Sequence, residues 1–285
     1  MGGLPILWRL RDFTRKLRAG ADASLRTEQL LRRMHQTQLL AQIAETPRYQ
    51  DPKRLLASGY KVFSQNQEDG MIAEVFRRIG TTSKRFIEFG VEDGLECNSA
   101  YLLTQGWSGA WIEGSAPQAA RAAASFAPYQ IEVVNKYITV ENADALISEL
   151  ARSQELDLLS IDIDTIDYWI WQAIRTVKPR LVVIEYNASW PPHIRKTVAH
   201  DPTMEWDGSN FSGASLGALE ALGREKGYAL VGCSLAGVNA FFVREDLVGE
   251  AFCTPFTAEN HYEPPRFDLA GSFGHHAGMG RWVDV

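Results

Sequence analysis

The chain has 285 residues, 45% of them hydrophobic and 22% charged, which is enough for one large domain and an extension. Its formal charge of −6 is unevenly spread: residues 1–60 carry 11 Lys/Arg against 5 Asp/Glu, the remainder 18 against 30. So acidic a body argues against nucleic acid as the main ligand, and three cysteines without metal-like spacing (Cys97, Cys233, Cys253) fit free thiols in a reducing cytoplasm.

No apolar run approaches a membrane span, and the N-terminus lacks the core of a signal peptide, so a cytoplasmic protein is expected. Residues 5–46 carry an apolar stripe (Leu7, Leu10, Phe13, Leu17, then Leu30, Leu31, Met34, Leu39, Leu40, Ile43) at helical spacing. Gly20 is expected to split it into two helices. This basic arm has four readings open to it: packing on its own core, making a homodimer, docking on a membrane surface or enzyme complex, or a mobile tail.

From Lys61 the pattern is regular. Ser64–Gly70 leads into a helix with Ile72, Val75, Phe76 and Ile79 on one face. Strands are expected at 85–89, 110–113, 131–134, 156–163 and 181–186. The helices between them lie near 98–105, 117–126, 142–150 and after Asp167, with one more at 215–225. Such alternation predicts a parallel sheet covered on both faces. The strands 228–233 and 239–243 are joined only by Ser234–Val238, and five residues cannot hold a crossover helix. The fold class is therefore doubly wound α/β: a mostly parallel seven-stranded sheet ending in an antiparallel C-terminal strand. Its expected divisions are a helical extension (1–60), the α/β domain (61–245) and an irregular tail (246–285).

The stretch Arg85–Gly94 reads as a strand ending in an acid, followed by a glycine-punctuated loop. Glycines there let a ligand approach the backbone at the strand's carboxyl end. A dinucleotide loop starting at Gly90 needs glycines at 92 and 95, where Glu92 and Leu95 stand. Glu92, Asp93 and Glu96 also crowd the helix start that attracts phosphate in such sites. An acidic loop suits a cofactor with no phosphate and a positive centre, such as S-adenosylmethionine.

With these pieces the chain resembles class I S-adenosylmethionine-dependent methyltransferases, and most of all their FkbM-like group, over residues 61–245. The resemblance rests on Ser64-Gln-x-x-Glu-Asp-Gly70, Phe86-Ile-Glu-Phe-Gly-x-x-x-Gly94, Gly106-Trp-Ser-Gly-x-Trp-Ile-Glu113, Ser160-Ile-Asp-Ile-Asp164 with Asp167-Tyr-Trp-Ile-Trp171, and Glu185-Tyr-Asn187. Thr165 departs from it, standing where many relatives have glycine. The resemblance implies methylation of a hydroxyl oxygen, on a sugar, polysaccharide or natural-product intermediate. It also implies that Gln65, Glu88, Gly90, Gly94, Asn98, Glu113 and Asp162 surround the cofactor. Glu113, at the end of the second strand, would hold the ribose hydroxyls. Asn135–Tyr137 are candidates for the adenine.

Asp162 and Asp164 stand at the end of the expected fourth strand and are read as pointing to opposite faces. With Glu185 and Asn187 at the next strand end, they form a candidate oxygen-ligand set for Mg²⁺. Asp162, Glu185 and His193 are the catalytic candidates, His193 as a general base. The 25-residue segment Ala188–Ser212 carries Trp190, Pro191, Pro192 and Trp206, an apolar wall suited to a small-molecule or glycan acceptor. His275–His276 lack companion ligands. The rival readings are a scaffold protein of the same fold, a nicotinamide enzyme and an N-methyltransferase; the acidic loop and closing hairpin oppose the second.

Overall fold

A computed structural model describes residues 24–28, 30–32 and 34–267. The expectations on residues 5–23, with the Gly20 break, and on His275–His276 lie outside them. The chain divides into two units after Thr46. Of the first, the described residues between 24 and 44 are helical (α1). An Arg32–Glu28 pair spans one turn at 2.9 Å, and Leu30, Leu31 and Met34 are exposed.

The second unit begins with the short helix α2 (Pro47–Gln50) and a 3₁₀ turn at Leu56–Ser58, then α3 (Glu68–Ile79). Next come β1 (Arg85–Phe89), α4 (Ala100–Thr104), β2 (Ser108–Glu113), α5 (Ala116–Ser125), β3 (Ile131–Asn135) and α6 (Ala143–Ala151). The chain continues with β4 (Leu158–Ile161), α7 (Asp167–Ala173), β5 (Leu181–Glu185), α8 (Leu216–Lys226), β6 (Tyr228–Cys233) and β7 (Asn239–Arg244). Two short helices, α9 (Glu245–Val248) and α10 (Ala258–His261), follow in what the sequence suggests is irregular tail.

The seven strands lie in the order β3-β2-β1-β4-β5-β7-β6. Only β7 is reversed, pairing antiparallel with β5 and β6, while β1 to β5 pair in parallel. This is the expected doubly wound sheet of the methyltransferase fold. Side chains alternate between two cores. Phe86, Trp111, Leu158, Val183 and Phe241 face the apolar sides of α3, α4 and α5. Ile87, Ile112, Leu159, Ile184 and Phe242 face α6, α7 and α8. Strands this apolar on both sides are what a covered parallel sheet demands. Among the described residues no helix is long and apolar enough to cross a membrane.

Strand order reverses between β1 and β4, so the crevice outside their carboxyl ends is the fold's ligand position. The Ser64–Gly70 motif borders that edge. One carboxylate oxygen of Asp69 accepts the backbone N–H groups of Val62, Phe63 and Ser64 at 2.6, 2.8 and 3.0 Å. The Ser64 hydroxyl in turn accepts the N–H of Asp69 at 3.2 Å. The motif thus ties the incoming chain to the start of α3.

Candidate functional site

The wall of the crevice on the β1–β2 side is built around two acids. Glu88 is 3% exposed and lies on the α3 side of the sheet. Its carboxylate accepts the N–H of Asn98 at 2.8 Å, the N–H of Ser99 at 2.9 Å and the Ser99 hydroxyl. Trp111 Nε1 donates to the same Ser99 oxygen at 2.8 Å. Burial pushes the Glu88 carboxyl up, and these donors pull it back. Glu88 therefore grips the far end of its own loop. Asn98 is buried, with its side-chain amide donating to Ser160 Oγ on β4 at 3.1 Å.

Gly90 has φ +70°, and a Cβ there would stand 1.6 Å from the carbonyl oxygen of Asp162. Only glycine lets the β1 loop press so closely on the end of β4. Gly94 (φ +84°) is similarly hemmed in, by the rings of Phe126 and Trp111. Glu113 ends β2, and its two oxygens accept the N–H of Glu92 at 2.8 Å and of Ser115 at 2.7 Å. A carboxylate offers about four lone-pair positions, so two remain after these bonds. Beside it the exposed Tyr137 ring lies against Gly114, where a Cβ would meet ring atoms at 2.6 Å. Asn135 Nδ2 donates to the carbonyls of Glu113 and Gly114 at 2.8 and 3.0 Å, fixing that corner.

The loop stays acidic in three dimensions. Burial raises the Glu92 carboxyl, helped by the negative charges of Asp93, Asp164, Glu113 and Glu96. Lys61 approaches Glu96 at 3.8 Å, and its ammonium also donates to the carbonyl of Gln65 at 3.0 Å. Gln65 itself is exposed.

The other wall holds four carboxylates. Carboxylate oxygens of Asp162, Asp164 and Glu185 all lie within 4.8 Å of one another. Opposite faces for the two aspartates fail on elementary strand geometry, since residues two apart on a strand share a face. β4 stops at Ile161 beside Ile184 of β5, so Asp162 follows next to Glu185, and Asp164 takes φ +62°, a left-handed conformation that aspartate tolerates.

Burial raises Asp162 well above the usual carboxylate range, with the negative charges of Glu185, Asp167, Asp164 and Glu88 adding to it. Glu185 is pushed up to about 8, by burial and then by Asp167 and Asp164. Asp167 is the first residue of α7. One of its oxygens accepts the N–H of Ile163 at 2.8 Å; the other is buried without a partner, and burial pushes the group to about 6. Among the described residues none of these four acids forms an ion pair.

Asn187 serves the loop that follows. Its amide donates to the carbonyls of Asn210 and Ser212 at 2.8 and 3.0 Å, and its oxygen accepts the N–H of Ser189 at 3.1 Å. The amide thus clasps both ends of the segment 188–212. His193 is exposed there, and no hydrogen bond or ion pair among the described residues joins it to the acids. Trp190, Trp206 and Phe211 are exposed on the same segment, with Lys196 Nζ 5.9 Å from the Trp190 ring centroid. Sequence reasoning missed Asp167 as a member of the acid group and Asn239 as its neighbour. Asp167 lay within a quoted motif, whereas Asn239 gave no local signal.

No family model matches the chain, and no curated protein matches it significantly. Solved structures similar to it include the N-terminal domain of EvdMO1 with SAH bound, 14% identical, covering 62% of this chain and 79% of that one at a TM-score of 0.41. Another is a TehB-like SAM-dependent methyltransferase from Corynebacterium glutamicum, 11% identical over 74% of this chain and 98% of that one, TM-score 0.39. TrmK of M. capricolum in complex with S-adenosyl-homocysteine is 10% identical over 61% and 67%, TM-score 0.40.

Proposed function

We propose that this protein is an S-adenosylmethionine-dependent methyltransferase acting on a hydroxyl oxygen of a sugar, polysaccharide or natural-product intermediate, assisted by a divalent cation such as Mg²⁺. The observation that carries this reading is the shared wall at Gly90 and Asp162. There the backbone of the glycine loop is pressed against the strand end that bears the acid cluster. A cofactor cradled by Gly90, Gly94 and Glu113 lies beside carboxylates able to handle an acceptor hydroxyl.

The residues fit the cofactor on their chemistry. Glu113 is held by Glu92 and Ser115 with lone pairs to spare for ribose hydroxyls. Tyr137 offers an exposed aromatic face next to it for the adenine. The negative potential of Glu92, Asp93 and Glu96 disfavours a pyrophosphate and favours a cationic ligand. They fit a cation too: three clustered carboxylates with no ion pair among the described residues, their proton affinity raised by desolvation, are relieved by a hard metal ion.

S-adenosylmethionine would supply an electrophilic methyl group on a sulfonium, and a cation would be held by Asp162, Asp164 and Glu185 and would lower the pKa of a hydroxyl. The remaining work belongs to the chain. Glu88 and Asn98 keep the loop preformed, so little ordering is left at binding. Trp190 and Trp206 exclude water and give a sugar face something to stack on. With Glu185 committed to the cation, the hydroxyl proton is left to His193, exposed on the segment 188–212, or to solvent.

Calorimetry with S-adenosylhomocysteine and with NADP tests the proposal. Wild-type protein should bind the first in the micromolar range and the second at least tenfold more weakly. Glu113→Ala should keep its fold yet bind S-adenosylhomocysteine about tenfold more weakly, roughly 1.4 kcal/mol. No binding by the wild type would favour a non-catalytic scaffold. Tighter binding of NADP would refute the cofactor assignment.

A further inference from the structure

A second acid next to the cluster is surrounded in an unusual way. Glu68, at the first turn of α3, is fully buried and forms no ion pair among the described residues. Its carboxylate accepts the N–H of Asn66 at 3.0 Å, the side-chain amide of Asn66 at 3.2 Å and that of Asn239 at 3.1 Å. Both amides therefore turn their NH₂ groups to one carboxylate oxygen. Reversing either would set oxygen against oxygen, so Glu68 fixes which end points away. The ends that point away, Asn66 Oδ1 and Asn239 Oδ1, are buried and have no hydrogen-bond partner. Residues 6% and 2% exposed pay for such orphaned oxygens unless something else meets them.

Asn239 opens β7 and is paired directly with Glu185 across the β5–β7 ladder. Partners in an antiparallel pair share a face, with Cβ atoms about 5 Å apart. That face is the α3 side, to which Val183 and Phe241, two residues along each strand, also point. The buried bare oxygen of Asn239 thus belongs to the side chain next to an acid whose own cluster lacks positive charge. Asn187, at the other flank of Glu185, is occupied with its loop.

We infer that Asn239, oriented by Glu68, supplies a neutral oxygen ligand to the cation that Asp162, Asp164 and Glu185 would hold. The inference rests on the cation reading of the acid cluster proposed above. Carboxylates plus one amide oxygen make a hard, oxygen-only donor set. A hydrogen-bonded carboxylate behind a ligating group is the usual means of aiming it. Glu68 is accordingly a positioning residue, and it explains why the Ser64–Gly70 motif places an acid beside Asp69: one acid staples the chain, the other aims β7.

Titrating the full chain with Mn²⁺ alone, without cofactor, tests this by calorimetry, with thermal melting as the control for folding. Wild type should bind one Mn²⁺. Asn239→Ala should weaken it at least tenfold, while Asn239→Asp, which restores an oxygen ligand, should bind at least as tightly as wild type. Glu68→Gln should weaken binding tenfold or more through misdirection of Asn239; should that variant not fold, the two Asn239 variants still decide. Wild-type affinity in Asn239→Ala overturns the inference, as does equal loss in Asn239→Ala and Asn239→Asp, which marks a merely structural residue. A wild type that takes up no Mn²⁺ also overturns it. The cofactor reading then stands or falls separately on S-adenosylhomocysteine binding in the absence of metal.

Discussion

Two groups of acids stand side by side along one sheet edge, and they are supplied with hydrogen-bond donors very differently. Glu88 and Glu113 are buried, Asp162 and Glu185 half-buried and Asp164 exposed. Glu88 and Glu113, on the β1–β2 side, accept loop N–H groups that the chain itself provides. Asp162, Asp164 and Glu185, on the β4–β5 side, crowd together without a single ion pair among the described residues. Donor-rich acids need nothing from outside and serve as fixtures that preform a binding loop. Donor-poor acids hold a proton or need a cation, which is the condition of groups poised for chemistry. Charge alone would not separate the two; the local supply of N–H groups does.

The largest expected effect comes from breaking the donor-rich side. Glu88→Ala strands two backbone N–H groups and the Ser99 hydroxyl in a dry interior, a cost on the order of 4 kcal/mol. Urea unfolding should register that loss, with a midpoint shifted well below wild type. A change under about 1 kcal/mol would mean that other groups hold the loop and that the contrast with the β4–β5 side is overdrawn.

The donor-poor side should respond in the opposite direction. Glu185 ordinarily titrates near 4.5 but is pushed to about 8 in the folded chain. Between those values the unfolded chain has lost the proton and the folded chain keeps it. Stability contributed by this group is therefore complete below about pH 4.5 and declines as pH rises through 8. In the presence of a chelator, Glu185→Gln should remove that decline. The variant should match wild type near pH 4 and exceed it at pH 8.5 by on the order of 2 kcal/mol. Asp162 is raised too and would pick up part of the proton, which keeps the gain below the full shift. Parallel melting curves for the two proteins across this range would remove the distinction between the two acid groups.

The sheet was readable in advance because its signals are local. The short Ser234–Val238 link forces a hairpin, and apolar runs of strand length alternate with helical periods. Glu113 was readable for the same reason, as an acid closing such a run. The acid cluster was only half readable: Asp162 and Asp164, two residues apart, share a face on any strand, but their approach to Glu185 depends on the parallel pairing of β4 with β5. Asn239 was not readable. Its meaning lies in pairing with Glu185, a contact across 54 positions that no spacing in the sequence encodes. Asn187, two residues from Glu185, looked like the better neighbour by sequence and turned out to clasp a loop.

The smallest expected effect sharpens the comparison from the cofactor side, where a preformed wall needs only a surface to stack on. Tyr137 is 75% exposed, so removing its ring costs the fold little buried area. It nevertheless covers Gly114, and Lys136 next to it donates its N–H to the carbonyl of Glu113 at 3.0 Å. Tyr137→Ala should therefore leave the melting temperature within about a degree while weakening S-adenosylhomocysteine about fivefold, near 1 kcal/mol. Tyr137→Phe, which keeps the aromatic face, should bind as wild type does. If Tyr137→Ala instead lowers the melting temperature and leaves affinity alone, the ring is a cover for Gly114, and the adenine must find its surface elsewhere along the β2–β3 edge.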